Sequence, residues 1–233
     1  MKSLCLTLLL AAFSFKSTKA QCSSYYFMIT GSEVVMTIYD KKGAESGKQT
    51  WKTGKVKKEG GASSSTVSSV LTDEKGKELA KGSGSFGCTG TSFKADLRMN
   101  LPQQQAEMFQ DVETSVGNSY IEYPAAMETG QALSNANLDM DVKNKNGMSM
   151  KVSFVQTDRK VVSKETIEST AGTWQAYKIT YKATITTRMG GIGIPFHFSA
   201  VEWFVPGFGI VKTETYSKKG KLMGSTLITS FRK

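Results

Sequence analysis

The chain has 233 residues, 39% of them hydrophobic, and carries 30 basic against 20 acidic residues for a net charge of +10. That length suits one domain, or at most two small ones, with room for a sizeable core. Beyond the first twenty residues there is no apolar run of about 20 residues, which excludes a helical integral membrane protein. A single histidine and cysteines far apart exclude a zinc centre.

In chain order, residues 1–20 read as a cleavable signal peptide. Lys2 supplies the positive start, an apolar stretch runs from Leu4 to Phe15, and Thr18-Lys19-Ala20 offers small residues at the −3 and −1 positions. Cleavage before Gln21 is expected, rather than lipid attachment at Cys22, because Lys19 and Gln21 stand where a lipidation site wants a Leu-like and a small residue. Residues 21–233 then form one exported β-rich domain. Lys2, Lys16 and Lys19 leave with the leader, so its net charge falls to +7. Its lysines are scattered and many fall in turns, as solvated sheet edges require. Cys5 also leaves, so Cys22 and Cys88 remain as an even pair in an oxidising compartment. They are either bonded, tying the new N-terminus to a glycine-rich segment, or two free thiols.

One turn recurs four times: Asp40-Lys41-Lys42-Gly43, Asp73-Glu74-Lys75-Gly76, Asn144-Lys145-Asn146-Gly147 and Ser217-Lys218-Lys219-Gly220. Asp, Asn or Ser first and Gly fourth is the signature of a type I turn closed by a left-handed residue, the three-residue hairpin loop. The flanks of the third turn alternate apolar and polar. A three-residue loop sets Val142 opposite Met150, Met140 opposite Val152 and Leu138 opposite Phe154, all on one face. The same geometry pairs Leu71 with Leu79 and Tyr216 with Leu222.

The stretch 60–69 is serine-rich, with uncertain edges. Phe93, Ala95, Leu97 and Met99 alternate as a short strand. Pro102 followed by Gln105, Met108, Phe109, Val112 and Val116 predicts a helix over about 102–115 that covers part of the sheet. Residues 125–136 are mostly loop. Over 174–187, Tyr177, Ile179, Tyr181, Ala183 and Ile185 face one way and Lys178, Thr180, Lys182, Thr184 and Thr186 the other, a half-buried antiparallel strand. Gly190-Gly191-Ile192-Gly193 reads as a hairpin connection. Phe196, Phe198 and Ala200 are in one phase, and Val201, Trp203 and Val205 in the other, which predicts a bulge or strong bend near 199–201. The fold class is therefore mainly β: a single strongly bent antiparallel sheet, open barrel or sandwich-like, with one short covering helix.

Chemistry is sparse. The one histidine, His197, lies inside a predicted strand and reads as a partly buried structural residue rather than a base. No nucleophile elbow or phosphate loop is present, and no catalytic residue, cofactor or metal is expected. Lys48, Lys52, Lys55, Lys57 and Lys58 around Trp51 would split between strand faces, so nucleic acid is not an expected partner. Trp174, Trp203, Phe208, Met140 and Met150 are candidate lining residues for an apolar ligand, against the plainer reading of ordinary core.

The run Ser169-Thr170-Ala171-Gly172-Thr173-Trp174, Tyr177-Lys178-Ile179-Thr180-Tyr181, Val201-Glu202-Trp203 and 207–216 (Gly-Phe-Gly-Ile-Val-Lys-Thr-Glu-Thr-Tyr) resembles the TapB-like family of exported proteins from Bacteroidetes-type bacteria, a domain of unknown function. The likeness spans nearly the whole exported chain and departs at Phe204-Val205-Pro206, where a more polar segment is expected. It implies export, β-architecture and no known catalysis, with an outline similar to periplasmic lipoprotein carriers. The expected role is a periplasmic or cell-envelope binding protein, peripheral to the membrane at most, for a lipid, another apolar ligand or an envelope protein. The alternative is a structural or assembly factor of the envelope with no small ligand.

Overall fold

The computed structural model describes residues 22–100, 120–143 and 149–233. The leader, the helix expected over 102–115 and the corner 144–147 lie outside them. The described chain forms β1 (Glu33–Asp40), β2 (Glu45–Thr53), β3 (Lys57–Glu59), β4 (Ala62–Asp73), β5 (Glu78–Cys88), β6 (Ser92–Asp96), β7 (Tyr120–Pro124), β8 (Ala136–Lys143), β9 (Ser149–Ser169), β10 (Gly172–Met189), β11 (Ile192–Val205), β12 (Gly209–Ser217) and β13 (Leu222–Arg232). All belong to one 13-stranded sheet, ordered β7-β6-β5-β4-β2-β1-β13-β12-β11-β10-β9-β8, with β3 a short flap on β4. Every pairing among the described strands is antiparallel. Read around the circle this is an up-and-down meander. The ladder joins its two halves at β1–β13, and its ends, β7 and β8, are consecutive in sequence.

The corner turns form as their residues dictate. The Asp40 Oδ1 carboxylate oxygen accepts from the Lys42 and Ala44 amides at 2.7 and 2.9 Å, and Gly43 takes φ +81°. Asp73 repeats this with Lys75 and Lys77 at 2.9 and 2.8 Å, and Gly76 also sits at +81°. Ser217 accepts from Lys221 through its hydroxyl, with Gly220 at +72°. A side-chain acceptor organises each loop, and glycine supplies the left-handed residue.

A second device follows each of these three turns. The returning strand carries one extra residue three positions after the turn glycine: Ser46, Leu79 and Met223. This bulge corrects the expected pairing of Leu71 with Leu79, since Leu71 stands opposite Ala80. The physical reason lies further along β5. Without the extra residue Phe86 and Cys88 would face solvent; with it they join the core. The Tyr216–Leu222 pair forms as expected, before its bulge. The β8–β9 ladder keeps the expected register, with Val142 opposite Met150, Met140 opposite Val152 and Leu138 opposite Phe154.

The phase change expected within β11 does not occur. The β10–β11 ladder is unbroken from Tyr177–Phe204 to Met189–Ile192, and the register shift on the other side falls between Trp203 and Phe204. Phe198, Ala200, Glu202 and Phe204 are buried in one continuous inward phase, and Trp203, in the other phase, is buried on the opposite face beneath Lys178 and Lys212. Glu202 disguises it, because a carboxylate occupies an inner position. The strand expected over 93–99 ends earlier: residues 97–100 turn as a single 3-10 turn.

One end of the barrel is closed by residues 25–28. Tyr25, Tyr26, Phe27 and Met28 are all buried. Tyr25 stacks on Phe93 (4.4 Å between ring centres), Phe27 packs against Phe86 and Trp51 (4.1 and 5.2 Å), and the Tyr26 hydroxyl donates to the Ile210 carbonyl at 3.0 Å. A disulfide joins Cys22 to Cys88 and pins this plug to β5. A sulfur held in that bond cannot also carry a thioether-linked lipid.

Candidate functional site

Two places in the sheet carry polar chemistry or unusual exposure. The first is the seam between β7 and β8. Asp158, at φ +55°, is an extra residue in β9 opposite the Thr180–Lys182 step of β10. Left-handed backbone at a non-glycine residue is uncommon, although Asp tolerates it. The bulge turns Arg159 inward. Its Nη1 donates to the Glu122 and Ser134 carbonyl oxygens at 3.1 and 2.7 Å, and its guanidinium lies 5.1 Å from the Tyr123 ring centre. Nη2 is 3.7 Å from Glu202 Oε1, and the Tyr123 hydroxyl donates to Glu202 Oε2 at 3.0 Å. Burial pushes the Glu202 carboxyl up, against the opposing pull of Arg159; burial, together with the Glu202 charge, drives the Tyr123 hydroxyl well above its usual range. Gln156 is also fully buried, and among the described residues neither of its amide atoms has a hydrogen-bond partner. The cluster stitches an edge that the ladder leaves open. Its groups lack the exposure a reacting substrate requires.

The second place is the far end of β10–β11. β12 pairs with β11 only from Phe198 to Val205, so among the described residues no strand lies beside 192–197 on that edge. The hairpin therefore overhangs the neighbouring corner by about 20 Å, at roughly 3.4 Å per residue. Met189, Ile192 and Ile194 are 52%, 71% and 70% exposed. The register places Met189 opposite Ile192, Thr187 opposite Ile194 and Ile185 opposite Phe196, all on one face. That face continues into the inner lining: Val152 and Phe154 across from Thr187 and Ile185 on β9, then Met140 and Leu138 on β8. Phe196 packs on Phe198 at 5.7 Å and Phe198 faces Phe154 at 6.3 Å. An apolar sheet surface thus runs from the core into solvent.

The five candidate lining residues fall in three places. Met140 is buried and Met150 partly buried on the lining just described. Trp174 and Phe208 meet at 5.2 Å at the opposite end, beside Phe231 and Tyr26, where the Thr170 hydroxyl donates to the Thr229 carbonyl. Trp203 points to the outer face. Lys212 and Lys178 lie over its ring at 4.4 and 5.4 Å, and its Nε1–H donates to Glu165 at 2.9 Å. His197 is exposed rather than partly buried, and shares a 2.9 Å hydrogen bond with the Thr184 hydroxyl. Among the described residues no group of three or more His, Cys, Asp or Glu side chains could hold a metal ion, and no helix is long and apolar enough to cross a membrane. Sequence reading missed Met189, Ile192 and Ile194. Their signal was the absence of any charge between Arg188 and Glu202.

The DUF3108-like family matches residues 29–228. Two solved structures share the fold. One is a protein inferred to be exported, with a YmcC-like fold, from Bacteroides fragilis NCTC 9343: 20% identity, 88% of this chain and 96% of that one covered, TM-score 0.72. The other is a protein inferred to be a lipoprotein from Parabacteroides distasonis ATCC 8503: 22% identity, 89% and 99% covered, TM-score 0.74. No curated protein matches the sequence significantly.

Proposed function

We propose that this chain, which belongs to the DUF3108-like family, is a non-enzymatic binding protein of the cell envelope that engages an apolar ligand or partner on the overhang of β10–β11. The observation that carries this reading is the continuity of exposed Met189, Ile192 and Ile194 with the buried apolar face behind them. Monomeric proteins rarely expose contiguous apolar surface without a partner for it. Export is supported by the signal-like leader, the disulfide and the descriptions of the two fold relatives. The periplasmic address and the narrower TapB-like placement rest on the same leader and on the motifs of residues 169–216.

Titration with Nile red tests the reading. Blue-shifted emission is expected with the native protein and is expected to be lost in Ile192→Ser/Ile194→Ser. An identical response from the double variant would overturn it. Solvent extraction of the purified protein followed by mass spectrometry then identifies any lipid carried along. A purely structural role in the envelope predicts neither dye response nor co-purified lipid.

A further inference from the structure

We infer that the tip of the β10–β11 hairpin docks onto anionic phospholipid surfaces, an inference that rests on reading the overhang as the binding surface. The tip is built to lead with apolar side chains. Gly190 and Gly191 take φ +57° and +86°, the two positive values of a type I′ turn, so the loop itself has no side chains to present. The outermost side chains are the cross-strand partners Met189 and Ile192, followed by Ile194.

Charge supplies the second observation. Residues 169–201 contain no carboxylate; of the cations among them, Lys178 and Lys182 are paired with Glu165 and Asp158 of β9 at 3.2 and 2.9 Å, and Arg188 is the one next to the tip. One step behind the tip, Arg188 stands directly opposite Lys151 of β9. Like charges in register repel. The carboxylate at that level is Asp141, across from Lys151 on β8, and none stands opposite Arg188 on β11, where Gly193 is its partner. Apolar side chains leading, with cations one residue behind, match the depth order of acyl chains beneath phosphate groups.

The free edge argues against a strand as the occupant. Pro195 lies within the unpaired stretch and has no N–H to give to an added strand, a common device against edge pairing. A membrane interface has no such requirement, because water and headgroups satisfy the edge, and only the tip reaches the acyl boundary.

The test is co-sedimentation of the exported protein, disulfide intact, with vesicles of phosphatidylcholine alone or mixed with phosphatidylglycerol. Binding is expected to the mixed vesicles only and to weaken as salt is raised. Arg188→Gln and Lys151→Gln should each weaken it about fivefold, and Ile192→Ser/Ile194→Ser should abolish it. All these positions are at the surface, so circular dichroism and the melting temperature should not change. Ile192→Trp provides a direct reading, with a blue shift of its emission on mixed vesicles. Absence of sedimentation, or sedimentation indifferent to these substitutions, would overturn the inference. So would tip-dependent dimerisation in the ultracentrifuge, which assigns the surface to a second copy. If Nile red binding persists while vesicle binding is absent, the membrane inference fails and the binding-protein reading stands. Loss of both discards the two together.

Discussion

Tyr123 and Phe204 lie face to face across the interior, ring centres 4.2 Å apart and planes 5° from parallel. One belongs to the edge strand β7, the other to β11 near the middle of the opposite half of the sheet. Next to this stack the Tyr123 hydroxyl reaches Glu202, which in turn faces Arg159. Aromatic contact and buried charge together hold an edge that no ladder closes among the described residues.

Removing one partner of this ion pair should cost far more than the pair contributes. Arg159→Met is expected to destabilise by about 3–5 kcal/mol, because it strands Glu202 in the interior. The pH dependence has a definite sign. The native carboxyl is raised, so the native state binds its proton more tightly than the unfolded chain does. Its ionisation therefore opposes folding, increasingly as pH rises from the ordinary carboxylate value through the raised one. Without Arg159 this penalty grows, so urea unfolding should show a larger loss at pH 8 than at pH 5. An equal loss at both would contradict the assignment.

The disulfide should stabilise mainly through its loop. Cys22 and Cys88 are separated by 66 positions, for which chain entropy gives about 4 kcal/mol. Cys22→Ala/Cys88→Ala should lower the unfolding free energy by that order. It should also bring up tyrosine accessibility to quenchers, as Tyr25 and Tyr26 loosen from their end of the barrel.

Two glycines give a contrast. A Cβ at Gly47, the residue just after the Ser46 bulge, would lie 2.2 Å from the Thr72 carbonyl oxygen, whereas one at Gly43 meets nothing within 4 Å. Gly43→Ala faces only its left-handed backbone and should cost about 1 kcal/mol. Gly47→Ala forces two strands apart and should cost about 3 kcal/mol. Denaturant midpoints at unchanged slope would confirm the ranking.

On the outer face, the Trp203 indole N–H, then Ser163 and Lys178, hold the Glu165 carboxyl below its usual range despite some desolvation. A lowered native value contributes stability above the unfolded value and loses it as pH falls through the native one. Glu165→Gln should flatten the acid limb of stability, and Trp203→Phe should move it the same way by releasing the largest of those bonds. A wild-type acid limb in both variants would show that Glu165 is simply solvated.

The parts of the fold legible in sequence are those set by local chemistry. Asp40, Asp73 and Ser217 announce their corners through side-chain acceptors three residues before a glycine. Leu138 and Phe154 find each other because their faces alternate cleanly. What escaped depends on contacts distant in the chain. The extra residues Ser46, Leu79 and Met223 carry no shared side-chain type; their common place three residues after a turn glycine shows only once the register is known. Glu202 reads as a solvent-facing residue until Arg159, brought inward by the bulge at Asp158, is placed against it. Four residues separate Tyr25–Met28 from the end of the expected leader, and a short aromatic run there is the trace of a barrel plug. Of the candidate site, the two methionines lie on the apolar lining, while Trp174, Phe208 and Trp203 serve elsewhere.

The pairing of Glu33 with Arg232 has a consequence in time. β1 and β13 form the central joint of the sheet, yet one is the first of the described strands to be synthesised and the other the last. Until Leu222–Arg232 emerge, β1 has β2 on one side and an open edge on the other. The joint that unites the two half-sheets therefore forms only once both ends of the described chain are available. Such high contact order makes this step slow. During that interval the nascent chain presents bare strand edges.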